Sequence, residues 1–207
     1  MEITNIVCSR YNRNTDFVYR INNGENIKVM VYDKENNDNP YNVPVNKGNE
    51  ASVYLKYIID HYDNLSEFTY FIHDEEYSWH HSGSIIDKFK EAKDSKEKYY
   101  NINHFEWKEA LRRDHYEEYL KFYNEIIEEY IPLKKVPNGE IDLRLGYKGC
   151  AQFLVHRDLI RCLPKEFYIK LYNWIMTTNL PSKDCGFYLE YSWHVFWVIY
   201  PKILQEK

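Results

Sequence analysis

Residues 70–81, YFIHDEEYSWHH, place one aspartate, two glutamates and three histidines directly behind an apolar run. An aspartate at the end of a strand can hold a hard divalent cation by one or two oxygens. Phosphate oxygens and water then fill the other positions, the usual arrangement for Mg²⁺ or Mn²⁺ between protein and nucleotide. Asp74 is the first candidate for that role, and Glu76 would add a second carboxylate if the loop turns back. The plain alternative is a solvated acidic loop. His80 and His81 are adjacent, so in an extended segment they point to opposite sides and do not grip one ion together. A structural zinc site wants His or Cys at recurring short spacing, and His73, His80 or His81 with distant His194 is a poor substitute.

Two other stretches carry candidate chemistry. NKGNEASVYL (46–55) runs from a Gly-bearing turn into a helix start, where free N–H groups and the helix dipole favour an anion such as a diphosphate, although capping alone accounts for many such turns. YLEYSWHVFW (188–197) sets Glu190 and His194 four apart, hence on one helical face. A charge amid Tyr188, Tyr191, Trp193 and Trp197 must be paired or have a purpose. Glu190 could serve as a base or bind a sugar hydroxyl and His194 could reach a metal; the structural alternative is a buried ion pair.

These groups need elements to position them. ITNIVCSRY (3–11), IKVMVYDK (27–34) and EFTYFIHD (67–74) are each apolar, β-rich runs that stop on polar residues: Arg10 and Asn12, then Asp33 and Lys34, then His73 and Asp74. Between the second and third, Ala51, Tyr54, Leu55, Ile58, Ile59 and Tyr62 fall on one face of a helix. The strand, helix, strand order predicts an α/β unit with parallel pairing, whose ligands bind beyond the carboxyl ends of the strands. Further on, 114–131 reads as a surface helix, 136–149 as a turn-rich connection, 150–158 as a short strand and 163–181 as a helix bracketed by Pro164 and Pro181.

Composition narrows the class. With 207 residues and 44% hydrophobic content the chain can bury one substantial core, and its length favours a single domain, 1–207. The net charge of −5 argues against a general grip on nucleic acid. No membrane span or signal peptide is visible, so a cytoplasmic location is expected. Cysteines at 8, 150, 162 and 185 lack metal or redox spacing and are expected to be reduced and structural.

CSRYNRNTDFV, VMVYDK, NKGNEASVYLKYIIDHYDNL, TYFIHDEEYSWHH, CAQFLVHRDLI, EFYIKLYNWI and YLEYSWHVFW, in that order, resemble the motifs of an uncharacterised family of fungal and large-virus proteins. Its members read roughly R-Y-N-E, V-Y-N-K-G, G-R-E-A-x-x-Y-L, F-L-x-x-H, A-Q-F and L-E-Y-x-W-H. Asn49 stands where they usually carry arginine, and Arg13 where they carry an acid. The family is in turn similar to GT-A type nucleotide-sugar glycosyltransferases, including those that decorate viral capsids.

That resemblance implies a GT-A-like α/β fold: a Rossmann-like, mixed, mainly parallel sheet flanked by helices, with 1–82 as the nucleotide-binding half and 83–207 as the acceptor side. It implies that Arg10, Tyr11, Asn12, Tyr32 and Asp33 cradle the nucleoside and that Asn46, Gly48, Asn49 and Glu50 lie near the diphosphate. Asp74 and Glu76 would hold Mn²⁺ or Mg²⁺, and Gln152, Glu190 and His194 would face the acceptor and the reacting carbon. The expected reaction is metal-dependent sugar transfer from a nucleotide-sugar donor to a glycan or glycoprotein acceptor, in the host cytoplasm if the protein is viral, with Glu190 as the base. Two other classes remain open: a metal-dependent hydrolase of a phosphate or sugar ester using Asp74, His80 or His81 and His194, and a non-catalytic binding protein on a degraded transferase fold.

Overall fold

Alternate residues of each central strand are buried on opposite faces, which fixes a sheet covered on both sides. The structure, a computed structural model, describes residues 3–21, 26–34, 36–103, 116–133 and 151–205. Its strands are β1 (Thr4–Arg10), β2 (Ile27–Asp33), β3 (Phe68–His73), β4 (Tyr99–Asn101) and β5 (Phe153–His156), in the order β2-β1-β3-β5-β4. β1 pairs in parallel with β2 and with β3, whereas β5 is antiparallel to both β3 and β4. This is the expected mixed, mainly parallel, Rossmann-like α/β sheet. Strands from both halves of the chain hydrogen-bond within it.

Ile6, Cys8, Tyr70, Ile72 and Leu154 share one face with Ile85, Phe89 and Ala92 of helix α2 (Ile85–Ser95). Ser84 caps that helix by accepting from the Ile86 N–H at 3.2 Å. The other face carries Val7, Met30, Tyr32, Phe71, Phe153 and Val155, and meets the larger core. Helix α1 (Ala51–His61) buries Ala51, Tyr54, Leu55 and Ile58 there, the face its sequence period marks. Helix α3 (Tyr116–Phe122), which continues as a π-helical turn, packs into the same core, as do the short α4 (Arg157–Ile160), α5 (Lys165–Thr177) and α6 (Ser182–Glu190). Each large side chain buried in this way contributes about 1.5–3 kcal/mol, so the double covering holds the sheet and with it the strand ends.

β1, β2 and β3 finish in register: Arg10 sits opposite Asp33, and Ser9 opposite both Tyr32 and His73. Their polar carboxyl ends therefore form one edge, as the sequence indicates. The three-residue β4 has no counterpart in the sequence expectation. The turn-rich 136–149 connection and Cys150 lie outside the described residues; Cys8, Cys162 and Cys185 are free thiols. Among the described residues no helix is long and apolar enough to cross a membrane.

Candidate functional site

A cleft of about 400 Å³ opens at the carboxyl edge of β1, β2 and β3 and is lined chiefly by polar side chains. Ser9 and His73 reach it from the strand ends, Lys34 and Asp74 from the first residues beyond them, and Asn46, Asn49 and Glu50 from the turn that starts α1. Ser182, at the start of α6, closes the far side and accepts from the Gly48 N–H at 2.9 Å.

The turn is held by close packing. Gly48 has φ +73°, a conformation that favours glycine, and a Cβ there would lie 2.8 Å from Ile175 Cγ2. Asn49 also adopts a positive φ, 50°, and its side chain lies against Gly186, where a Cβ would collide with the amide. The Lys34 ammonium donates to the Asn49 carbonyl, tying the end of β2 to the start of α1.

Burial dominates the electrostatics. It lowers the Lys34 amine to about 8, against the opposing charges of Glu50 and Asp74. It raises the Glu50 carboxyl to about 7, and Asp74 adds to the rise while Lys34 opposes it. Glu50 Oε1 is buried without a hydrogen-bond partner, and Oε2 lies 3.7 Å from His73 Nε2. Burial, with His80, His81 and Lys34 nearby, drives His73 down to about 3, so its imidazole is neutral. Asp74 is also raised by burial, although its Oδ2 accepts from the Tyr11 N–H at 2.7 Å. Arg13 lies 3.8 Å from Asp74 and 2.5 Å from Glu75.

Several expected site residues meet here and others do not. Tyr11, Asn46, Asn49, Glu50 and Asp74 line the cleft, and Gly48 forms its turn. Arg10 is engaged beside it, paired with Asp33 and donating to the Arg13 carbonyl at 2.8 Å. Asn12 sits in the exposed loop after β1 at φ 59°. Tyr32 belongs to the core rather than to a nucleoside cradle: it follows Met30 on the α1 face, against Tyr41 and Tyr57. Glu76 turns away from Asp74, pairing with Arg20 and accepting from the Ser84 hydroxyl at 3.0 Å, so Glu75, not Glu76, is the acid that lines the cleft beside Asp74.

Gln152 supports the site from behind. It is fully buried, and its Oε1 accepts from the His73 N–H at 3.1 Å. Glu190 ends α6 half-buried, and His194 is buried in the C-terminal core, its imidazole lowered to about 4 by burial; neither is among the residues that line the cleft. Of the histidines proposed for a hydrolase, His81 folds back within 3.2 Å of the Gly83 carbonyl, and His80 packs on Trp79 and His73.

Sequence reasoning did not assign Ser9, Arg13, Glu75 or Ser182 to the site, and it placed Lys34 and His73 only as strand-end residues at the ligand edge. Ser182 comes from the far end of the chain and has no local signal.

A family match covers residues 6–203, under the description of a protein of unknown function, DUF3431. The chain belongs to that family. No curated protein and no solved structure matches this DUF3431 member.

The donor set can be tested against a hard cation. Asp74 and Glu75 offer carboxylate oxygens at the cleft, the ligand type that Mg²⁺ and Mn²⁺ take, and both residues adjoin Arg13. Among the described residues no group of three His, Cys, Asp or Glu side chains gathers as a metal site. A cation here would therefore draw its remaining ligands from water and from a phosphorylated ligand, which suits Mg²⁺ better than zinc.

Proposed function

We propose that this DUF3431 protein is a divalent-metal-dependent glycosyltransferase using a nucleotide-sugar donor. The observation that carries the reading is the cleft at the carboxyl edge of the parallel strands, where Asp74 and Glu75 stand together with Lys34, Arg13 and the α1 turn. Acids that suit a cation and cations that suit phosphate occur side by side, as a metal-bound diphosphate requires. When bound by Asp74 and Glu75, the metal would neutralise charge on the leaving diphosphate.

The chain's own groups supply the rest. Lys34 and Arg13 attract the phosphates, and Asn46 and Asn49 offer amide donors. Glu50 takes the role of base that the resemblance gives to Glu190, because it is the cleft carboxyl whose proton affinity lies near neutrality. Ser9 and Ser182 provide hydroxyls at the strand end and the helix start.

A panel of UDP- and GDP-sugars, screened by thermal shift with and without Mn²⁺ and then by release of the nucleoside diphosphate, tests this. A metal-dependent shift with one donor class, followed by slow donor turnover, is expected. No shift with any donor in the presence of metal would remove the reading.

A further inference from the structure

More than half of the aromatic rings among the described residues are buried, yet four there stand well exposed: Tyr11 at 45%, Tyr19 at 59%, and Tyr77 and Trp79 at 68% each. All four lie on the two segments that follow β1 and β3, and Tyr11 lines the cleft itself. Ion pairs fix these segments to each other: Arg13 with Asp74 and Glu75, and Arg20 with Glu76. The Tyr11 N–H donates to Asp74, and Trp79 packs on His80 with ring centroids 3.9 Å apart, which in turn meets His73 inside the cleft. The rings thus stand on a braced rim that is continuous with the site.

We propose that this rim, centred on Tyr77 and Trp79 with Tyr11 at the cleft side, is a saccharide-binding platform. The electron-rich face of an aromatic ring attracts the polarised C–H groups of a pyranose, while the sugar's hydroxyls need donors and acceptors close by. Both are present, since carboxylates, guanidinium groups and histidines alternate with the rings along 73–81 and 10–20. Tyr and Trp also supply large contact area at small entropic cost. A protein partner would call for a contiguous apolar centre, whereas these rings are separated by charges that are already paired. Nucleic acid would call for a surplus of cations, and the arginines here are matched by acids. The role of the bound saccharide as acceptor rests on the transferase reading; the binding itself does not.

The test uses ¹⁵N-labelled full chain, without nucleotide or metal, titrated with short neutral oligosaccharides of glucose, mannose, galactose, xylose and N-acetylglucosamine. The Trp79 indole N–H signal, assigned with Trp79→Phe, is followed in the parent, and backbone amide signals of 10–20 and 73–81 are followed in parent and variant alike. At least one saccharide should move the indole signal saturably, and the double variant Tyr77→Ala/Trp79→Ala should bind that saccharide about tenfold more weakly or worse, the loss expected when stacking partners go. Both side chains are largely exposed, so the melting temperature should shift little beside the loss of binding. A panel in which no saccharide moves the signal, or a double variant that binds within about twofold of the parent, overturns the proposal. Saccharide binding at the rim in a chain that binds no nucleotide sugar would remove the transferase reading and keep the platform.

Discussion

Glu50 Oε2 lies 3.7 Å from His73 Nε2, and through this contact the start of α1 meets the end of β3 inside the cleft. The approach places a raised carboxyl beside an imidazole that burial keeps neutral, so His73 brings Glu50 no compensating charge. Lys34 is the cation acting on Glu50, and burial weakens its own hold on a proton. Such a cluster keeps a proton mobile near neutral pH, a property of acid and base sites.

Replacing Glu50 with Gln should therefore separate catalysis from stability. The folded carboxyl is raised from 4.5 to about 7, so the fold favours its protonated form. That contribution is complete below the unfolded value and is lost as pH rises through about 7. Glu50→Gln mimics the protonated state. Urea unfolding should show it more stable than the parent by about 2 kcal/mol at pH 8 and little changed at pH 4. Donor turnover should drop by about 10². A variant less stable than the parent at pH 8, with its rate intact, would make Glu50 a structural partner of Lys34.

How far the sequence reveals this site depends on what positions each residue. The strand ends and the buried face of α1 were legible because a period of two or of 3.6 residues is set locally. The same alternation could have moved Tyr32 into the core, since it shares a face with Met30. Glu76 was not legible: Arg20, 56 positions away, draws it from the cleft. Nor was Ser182, which α6 brings to the Gly48 turn across 134 positions. β4 is three residues long, too short for periodicity to register, and exists through its pairing with β5.

The two acids of the original pair should now behave differently. Asp74→Asn removes a charge that a hard cation needs, and most Mn²⁺-dependent stabilisation by the donor should vanish from the thermal-shift assay. Glu76→Gln should keep that stabilisation. Its ion pair with Arg20, whose side chain is largely exposed, should cost no more than about 1 kcal/mol when lost. Equal loss of metal dependence in both variants would return Glu76 to the ligand set.

The Gly48 turn should be sensitive to a single methyl group. Ala at this position meets two obstacles, the positive φ and the Ile175 side chain, and the expected destabilisation is about 1–3 kcal/mol by urea unfolding. Adding Ile175→Val to Gly48→Ala should recover only the steric part, leaving the backbone cost. Full recovery would show that φ carries no penalty here, and no loss in the single variant would show that the turn can relax.

His194 should leave its mark on acid stability. Burial lowers its imidazole from 6.5 to about 4, so the folded state holds it neutral while the unfolded chain takes up a proton. The stability this contributes is present above pH 6.5 and is lost as pH falls through 6.5 toward about 4, with a slope approaching 1.4 kcal/mol per pH unit, about the limit for one proton. His194→Gln cannot titrate. It should be less stable than the parent at pH 7.5, because a tightly packed core side chain is replaced, yet the gap should narrow steadily in urea unfolding series taken down to pH 4.5. Carboxylates that titrate in the same range act on both proteins and cancel in the difference. Two curves that run parallel across the range would mean that His194 binds its proton equally in the folded and unfolded chain, and that the C-terminal core admits water to it.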